Sequence, residues 1–301
     1  MPYAPREGAK LPSPAHPRPT VRRRKVGGEL RRLREAAGVK AEEAAERIGG
    51  DKSKISRQEN GRQGISKLEM EALLDLYRVE DPKVRTALIT MAREGRRKGW
   101  WAQYGDVLPV GFQERLAIES DAVRILAFQP LLVPGLLQTK SYAEVLIRGV
   151  EKDASEADRE TLMAVRMSRQ EILKGDDAPQ YVCVLDEAVL RREIGGPKVM
   201  AEQLEQLLEI SNPPRLTIQV IPFSEGWHAG LDGPFSVYTY PDPMDLDVVN
   251  LDYLDGALYL EEDGPVGRYQ LAFDEIRAAA PSHRKSMDLI TQAVREFKKR
   301  I

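Results

Sequence analysis

The chain has one cysteine, Cys183, among 301 residues. A single thiol can form no intramolecular disulfide and no cysteine cage around zinc. Histidine is nearly as scarce: His16, His228 and His283 stand far apart, at no helical or chelating spacing. No metal site and no cofactor are therefore expected. No apolar run approaches the roughly 20 residues that a membrane-crossing helix needs, so no membrane partner is expected. The N-terminus carries charges and prolines but lacks the apolar core of a secretory signal. These absences fit a reducing cytoplasm. A phosphate-binding glycine loop is also missing, since Gly195-Gly196-Pro197 has neither the spacing nor the lysine.

What is present is ordinary in bulk and uneven along the chain. Hydrophobic residues make up 42% and charged residues 31%, a balance that supports about two domains with separate cores. The net charge of −2 conceals an asymmetry. Residues 1–98 hold 24 Lys+Arg against 14 Asp+Glu, or +10, leaving 21 against 33, or −12, for the rest. A basic head on an acidic body points to a polyanionic partner for the head alone.

The first 24 residues read as a disordered, proline-rich tail, with Pro2, Pro5, Pro12, Pro14, Pro17 and Pro19 and few large apolar side chains. The tail runs into Arg22, Arg23 and Arg24, which could follow phosphates or enter a minor groove. Residues 25–98 then read as five short helices. Val26, Leu30, Leu33 and Ala37 recur at helical spacing before Gly38, and Ala41, Ala44, Ala45 and Ile48 form a second face before Gly49-Gly50. Asp51 is placed to cap a third helix that closes at Asn60-Gly61. Ile65, Leu68, Ala72, Leu73 and Leu76 mark a fourth helix, and Pro82 opens a fifth running to 98.

Residues 99–301 change character after Trp100 and Trp101. Helices are predicted over 113–128, 139–149, 156–174, 197–210, 265–279 and 282–299. Strand-like runs cover 181–185, 216–221, 235–240, 248–251 and 257–260. The fold class is therefore a multidomain α and α+β arrangement. A five-helix head precedes a domain with a mainly antiparallel sheet flanked by helices.

Residues 40–62 carry the chemistry. Two short helices meet at a glycine turn, and the second has one main apolar anchor, Ile55. Its remaining positions are small or polar, as a helix inserted into a major groove requires. Lys52 and Arg57 can donate to guanine acceptors and Ser53 suits either base type. Lys54, Arg62 and Asn60 suit phosphates, and Ser56 lies on the same exposed side.

This segment resembles the lambda-repressor-like (Xre) helix-turn-helix family. The resemblance rests on Leu30-Arg31-Arg32-Leu33-Arg34, Gly38, Ala45, Gly49 and the run from Ile55 to Gly61. It implies base reading by Lys52, Ser53 and Arg57, a phosphate contact by Asn60, and a structural Arg34–Glu59 ion pair whose truncation costs a few kcal/mol. Ala41 departs from the family, which often has a phosphate-binding glutamine there, so weaker anchoring is implied at that point. The body resembles the domain of unknown function found on many actinobacterial Xre regulators. The carrying motifs are Phe128 to Thr139, Leu185 to Arg192, Gly195 to Pro197, Gln219 to Phe223, His228 to Phe235 and Leu258 to Glu261. That likeness implies an antitoxin-like regulator with a small protein partner encoded nearby. The partners expected are thus double-stranded DNA, a second copy of the chain in a homodimer, and that small protein or a ligand.

An enzyme is not expected, because catalysis needs convergent titratable groups. The best chemical candidate is the glycine-bounded loop with Trp227, His228 and Asp232, read as a ligand or partner site. The alternative is a DNA-tethered hydrolase or transferase centred on His228 and Asp232. Asp186-Glu187 and Arg191-Arg192 read as a strand-to-helix cap with a solvated charged face. Cys183, inside an apolar strand, reads as an inert buried thiol.

Overall fold

The computed structural model describes residues 21–94, 100–104, 107–108, 110–241, 247–253 and 256–301. The expected tail through residue 20 and the end of the fifth helix at 95–98 lie outside the described residues. The chain divides into two compact units, Met1–Arg97 and Lys98–Ile301.

The first unit contains α1 (Val21–Ala36), α2 (Ala41–Arg47), α3 (Lys52–Glu59), α4 (Lys67–Leu76) and α5 (Pro82–Glu94). One start differs from the sequence pattern: α1 begins at Val21, not Val26, so Arg22, Arg23 and Arg24 are helical and not part of a tail. No proline or glycine interrupts residues 21–26, and arginine and lysine are good helix formers. The other ends follow local chemistry. Asp51 accepts the Lys54 amide at 2.6 Å to cap α3, and Ser66 with Glu69 forms a capping box on α4. Gly38 and Gly49 close turns at φ of 70° and 61°, a region that favours glycine. Leu30, Ala44, Ala45, Ile55, Leu73 and Leu88 meet in one core.

The second unit is built on a six-stranded sheet. Its elements are, in order, α6 (Val110–Asp121), β1 (Arg124–Gln129), α7 (Lys140–Val150), α8 (Glu156–Arg169) and β2 (Gln180–Asp186). There follow α9 (Glu187–Arg191), α10 (Pro197–Ile210), β3 (Leu216–Ile221), β4 (Phe235–Thr239), β5 (Val248–Tyr253) and β6 (Gly256–Leu260). The chain closes with α11 (Asp263–Ala279) and α12 (His283–Lys298). Strand order is β3-β2-β1-β4-β5-β6. Three of the five pairings are antiparallel; β1–β2 and β2–β3 are parallel, joined by helical crossovers.

The helix predicted over 113–128 is a correction: α6 ends at Asp121, and β1 takes Arg124–Gln129. Ile125, Leu126, Ala127 and Phe128 are all buried, so the strand shows no polar alternation. Such a run cannot be told from a buried helix by period alone. The helix predicted over 156–174 likewise stops at Arg169 and tightens into a 3-10 turn over Gln170–Leu173.

The two sheet faces have different covers. Leu126, Phe128, Val182 and Val237 pack with Phe273 and Ile276 of α11. Ile125, Tyr181 and Tyr238, offset by one residue along their strands, point to the opposite face. At the β3 edge, α12 supplies Ser286 Oγ, which accepts the Val220 amide at 3.0 Å. A strand edge covered in this way is not free to pair with another chain.

Candidate nucleic-acid interface and the C-terminal histidine loop

The third helix of the first unit is held from behind and open in front. Ile55 and Gln58 are buried, which anchors α3 on the core. Lys52, Ser53, Ser56, Arg57, Asn60 and Arg62 are exposed. Positions 53, 56, 57 and 60 follow the spacing of one helix face. Two of the exposed groups are steadied from outside the helix. Lys52 Nζ lies 2.8 Å from Glu42 Oε1 of α2, a hydrogen bond that also holds the Glu42 carboxyl below its usual range. Arg57 Nε donates to Gln63 Oε1 at 3.1 Å. Gln63 was not singled out from sequence; its place in the turn after a glycine gave no signal.

Other positions hold less open side chains. Lys54 Nζ is half-buried, 2.7 Å from Glu69 Oε1. Burial acts to raise the Glu69 carboxyl, but hydrogen bonds from Lys54 and Ser66 outweigh it and the net shift is downward. Asn60 Nδ2 donates to Ser56 O at 2.7 Å, closing its own helix. Arg23 and Arg24 are half-buried, and their backbone meets the Asn60-Gly61 turn. A Cβ at Gly61 would fall 2.7 Å from Arg24 N, so the turn needs glycine for this approach as well as for its φ of 68°.

The Arg34–Glu59 pair is present as a two-pronged contact, Nε to Oε1 at 2.6 Å and Nη2 to Oε2 at 3.1 Å. The Glu59 hydrogen bond raises the Arg34 guanidinium above its usual value. Both side chains keep some water contact, at 13% and 10% exposure. Arg34→Ala is therefore expected to cost about 2 kcal/mol, below the figure for a fully buried pair. Thermal melting of the full chain checks it; no change in the first unit's transition would show that the pair contributes nothing.

In the second unit, Trp227, His228 and Asp232 do not form one site. Trp227 is 80% exposed, whereas His228 is 4% exposed, and Asp232 is also exposed. His228 Nδ1 accepts the Gly230 amide at 3.2 Å, and Nε2 lies 3.5 Å from Asp186 Oδ2. The ring also packs edge-on against Phe128, 5.6 Å between centroids. Asp186 in turn caps α9 through the Ala188 amide at 2.7 Å. Glu187 accepts the Phe223 amide at 2.9 Å, and Arg191 returns to Glu187 at 3.0 Å. Cys183 is buried, and burial pushes its thiol well above the usual range.

Comparison with protein families separates the same two regions. A helix-turn-helix domain matches residues 25–88, and a domain of unknown function (DUF5753) matches residues 112–292. The chain belongs to the DUF5753 family. A search of curated proteins found no match, and neither did a search of solved structures. The helix-turn-helix domain supports a DNA-binding regulator, with the DUF5753 domain as its second part. No described helix is long and apolar enough to cross a membrane.

The motifs quoted for the DUF5753 domain turn out to be structural joints. Phe128 to Thr139 leaves β1 and forms a segment laced by glutamines. Gln138 Nε2 donates to Val133 O at 2.7 Å, Gln170 Nε2 to Gly135 O at 3.0 Å, and Gln203 Nε2 to Leu137 O at 2.8 Å. Gly196-Pro197 starts α10, and Gln219 Nε2 reaches Pro281 O at 2.9 Å beyond the end of α11. The sequence pattern did not mark Glu119, Arg166 and Arg169 as a group. The available signal was a charge on the apolar side of each of two helices.

Proposed function

We propose that the chain is a sequence-specific transcriptional regulator of the Xre type that binds double-stranded DNA as a homodimer. The observation that carries this is the exposed face of α3, with Lys52, Ser53, Ser56 and Arg57 on a helix whose back is fixed by Ile55 and Gln58. One such helix reads only a few base pairs, so a two-fold pair of heads is needed for an operator. Lys52, Ser53 and Arg57 read bases; Asn60, Lys54, Arg62 and the Arg22–Arg24 run follow phosphates. The DUF5753 domain receives a small protein partner or a ligand, in an antitoxin-like arrangement within the cytoplasm, and it performs no catalysis. The burial of His228 and the Gly230 amide on its Nδ1 support that last point, because the ring is poorly placed to reach a substrate proton.

The test is selection of genomic fragments by the full-length chain, followed by titration of the winners at two salt concentrations. A recovered motif with two-fold symmetry, bound far better than random DNA, is the expected result. Recovery of nothing above background would sink the reading. Arg57→Ala is expected to cost about 1–3 kcal/mol on the selected site and to relax preference at one base position. Equal loss on selected and random DNA would place Arg57 on the backbone instead.

A further inference from the structure

On the sheet face opposite α11, the second unit holds a half-open cavity of about 310 Å³. Tyr181 and Tyr238 of the sheet line it, together with Phe112 of α6, Leu146 of α7 and Leu162 of α8. The volume corresponds to roughly ten waters of liquid. That is the small end of the range for ligand sites.

The lining is mainly apolar but includes three guanidinium groups, Arg115, Arg166 and Arg169. Two of them are neutralised. Arg169 forms a buried ion pair with Glu119, which also accepts the Tyr238 hydroxyl at 3.3 Å. Arg115 pairs with Asp252. Arg166 differs: among the described residues it has no carboxylate within ion-pair reach, and its one hydrogen bond runs from Nη1 to Gln138 Oε1 at 2.7 Å. A third lining carboxylate, Glu151, lies beyond ion-pair reach of Arg166 and is not among the charges that shift it. Burial, then Arg169 and Arg115, depress the Arg166 guanidinium to about 10. A partly desolvated cation without a counter-charge costs stability, and the neighbouring Arg169 is paired with Glu119.

The arrangement around Arg166 is also rigid. Gln138, whose Nε2 is bound to Val133 O, holds its Oε1 toward the guanidinium, and Gln170 Nε2 fixes the Gln138 carbonyl at 2.8 Å. A preset donor fork beside an apolar hollow is a receptor for an anion with an apolar body.

We propose that this cavity binds a small amphipathic monocarboxylate, its two oxygens on Arg166 and its apolar body against Phe112, Leu146 and Leu162. One uncompensated positive charge calls for one negative charge. A phosphate dianion would need a second free cation, and Arg115 and Arg169 are already paired. The proposal extends the reading that the DUF5753 domain takes a ligand, and it does not depend on DNA binding.

The experiment is thermal melting of the full chain with octanoate and phenylacetate, against 1-octanol and octyl phosphate at equal concentrations. A concentration-dependent rise in Tm with a carboxylate, exceeding that with octanol and octyl phosphate, is expected. Arg166→Met is expected to weaken carboxylate binding roughly 10- to 100-fold. Its Tm without ligand should equal or exceed the parent's, because an uncompensated cation has gone. No response to either carboxylate, an equal response to octanol, or a larger one to octyl phosphate would overturn the proposal. So would a Tm for Arg166→Met far below the parent's, which would make Arg166 a structural group. Operator titration of the same samples is a separate readout, so failure of the DNA reading leaves the carboxylate result intact.

Discussion

Glu119→Ala is expected to destabilise the second unit by roughly 3–5 kcal/mol, a large part of what an ordinary domain has. Arg169 is 6% exposed and Glu119 is 3% exposed, so neither charge has much water to fall back on. Burial acts to lower the Arg169 guanidinium, and the Glu119 carboxylate more than reverses this. Without that carboxylate the cation stays buried beside the Phe112 ring, 5.6 Å from its centroid, and the Tyr238 hydroxyl loses its acceptor. The attraction of ring for cation is worth about 1–2 kcal/mol and cannot substitute. Removing both charges together is a different case, since Glu119→Leu with Arg169→Met leaves no orphaned charge, only the Tyr238 hydroxyl without its acceptor. That double variant is expected to lose far less than the single one, as buried pairs replaced by apolar groups generally do. Urea midpoints for the parent, the single and the double variant decide it. A single-variant loss under about 1 kcal/mol would mean that water reaches the pair.

Gly27→Ala is expected to go against helix propensity. In an exposed helix interior, alanine for glycine gains about 1 kcal/mol. Gly27 is buried in α1 where that helix crosses α3, and a Cβ there would lie 2.4 Å from both Gln58 O and Glu59 O. These are backbone atoms at the end of the candidate recognition helix, so no side chain can swing aside. Overpacking of this kind costs about 3 kcal/mol at its upper end, and it outweighs the propensity gain. Gly28→Ala is the control: a Cβ there meets nothing within 4 Å. It should stabilise the first unit while Gly27→Ala destabilises it, as thermal melting of the two variants would register. Equal Tm values would show that α1 can lift from α3 without loss.

Elements with period or punctuation were legible in the sequence. The α3 cap at Asp51 and the anchor at Ile55 could be named before the fold was known, because each follows a local rule, whereas the Arg34–Glu59 pair was implied only by the family resemblance. The bounds of β3 and the starts of β4 and β5 were legible from local pattern in the same way. What escaped was β1, buried on both faces and so without alternation, and with it the parallel β1–β2 and antiparallel β1–β4 pairings. The Arg166 cavity escaped too. Its groups come from α6, α8 and the 132–138 segment, and nothing but the fold brings them together. The loop with Trp227 and His228 shows the reverse error: residues adjacent in sequence ended at 80% and 4% exposure.

The central place of β1 bears on how the protein matures during synthesis. Leu126 pairs with Val182 on one side and with Val237 on the other, so the sheet cannot be assembled until residues beyond 237 have been made. The first unit needs only neighbours along the chain, and its last described helix ends at Glu94. At ordinary elongation rates the ribosome takes roughly 7–30 s to travel from there to Thr239. During that interval a nascent chain already carries a folded head while its second domain lacks a sheet. Local helices close fast and distant strands close slowly. The polypeptide thus acquires its helix-turn-helix surface first and the sheet of its DUF5753 domain last.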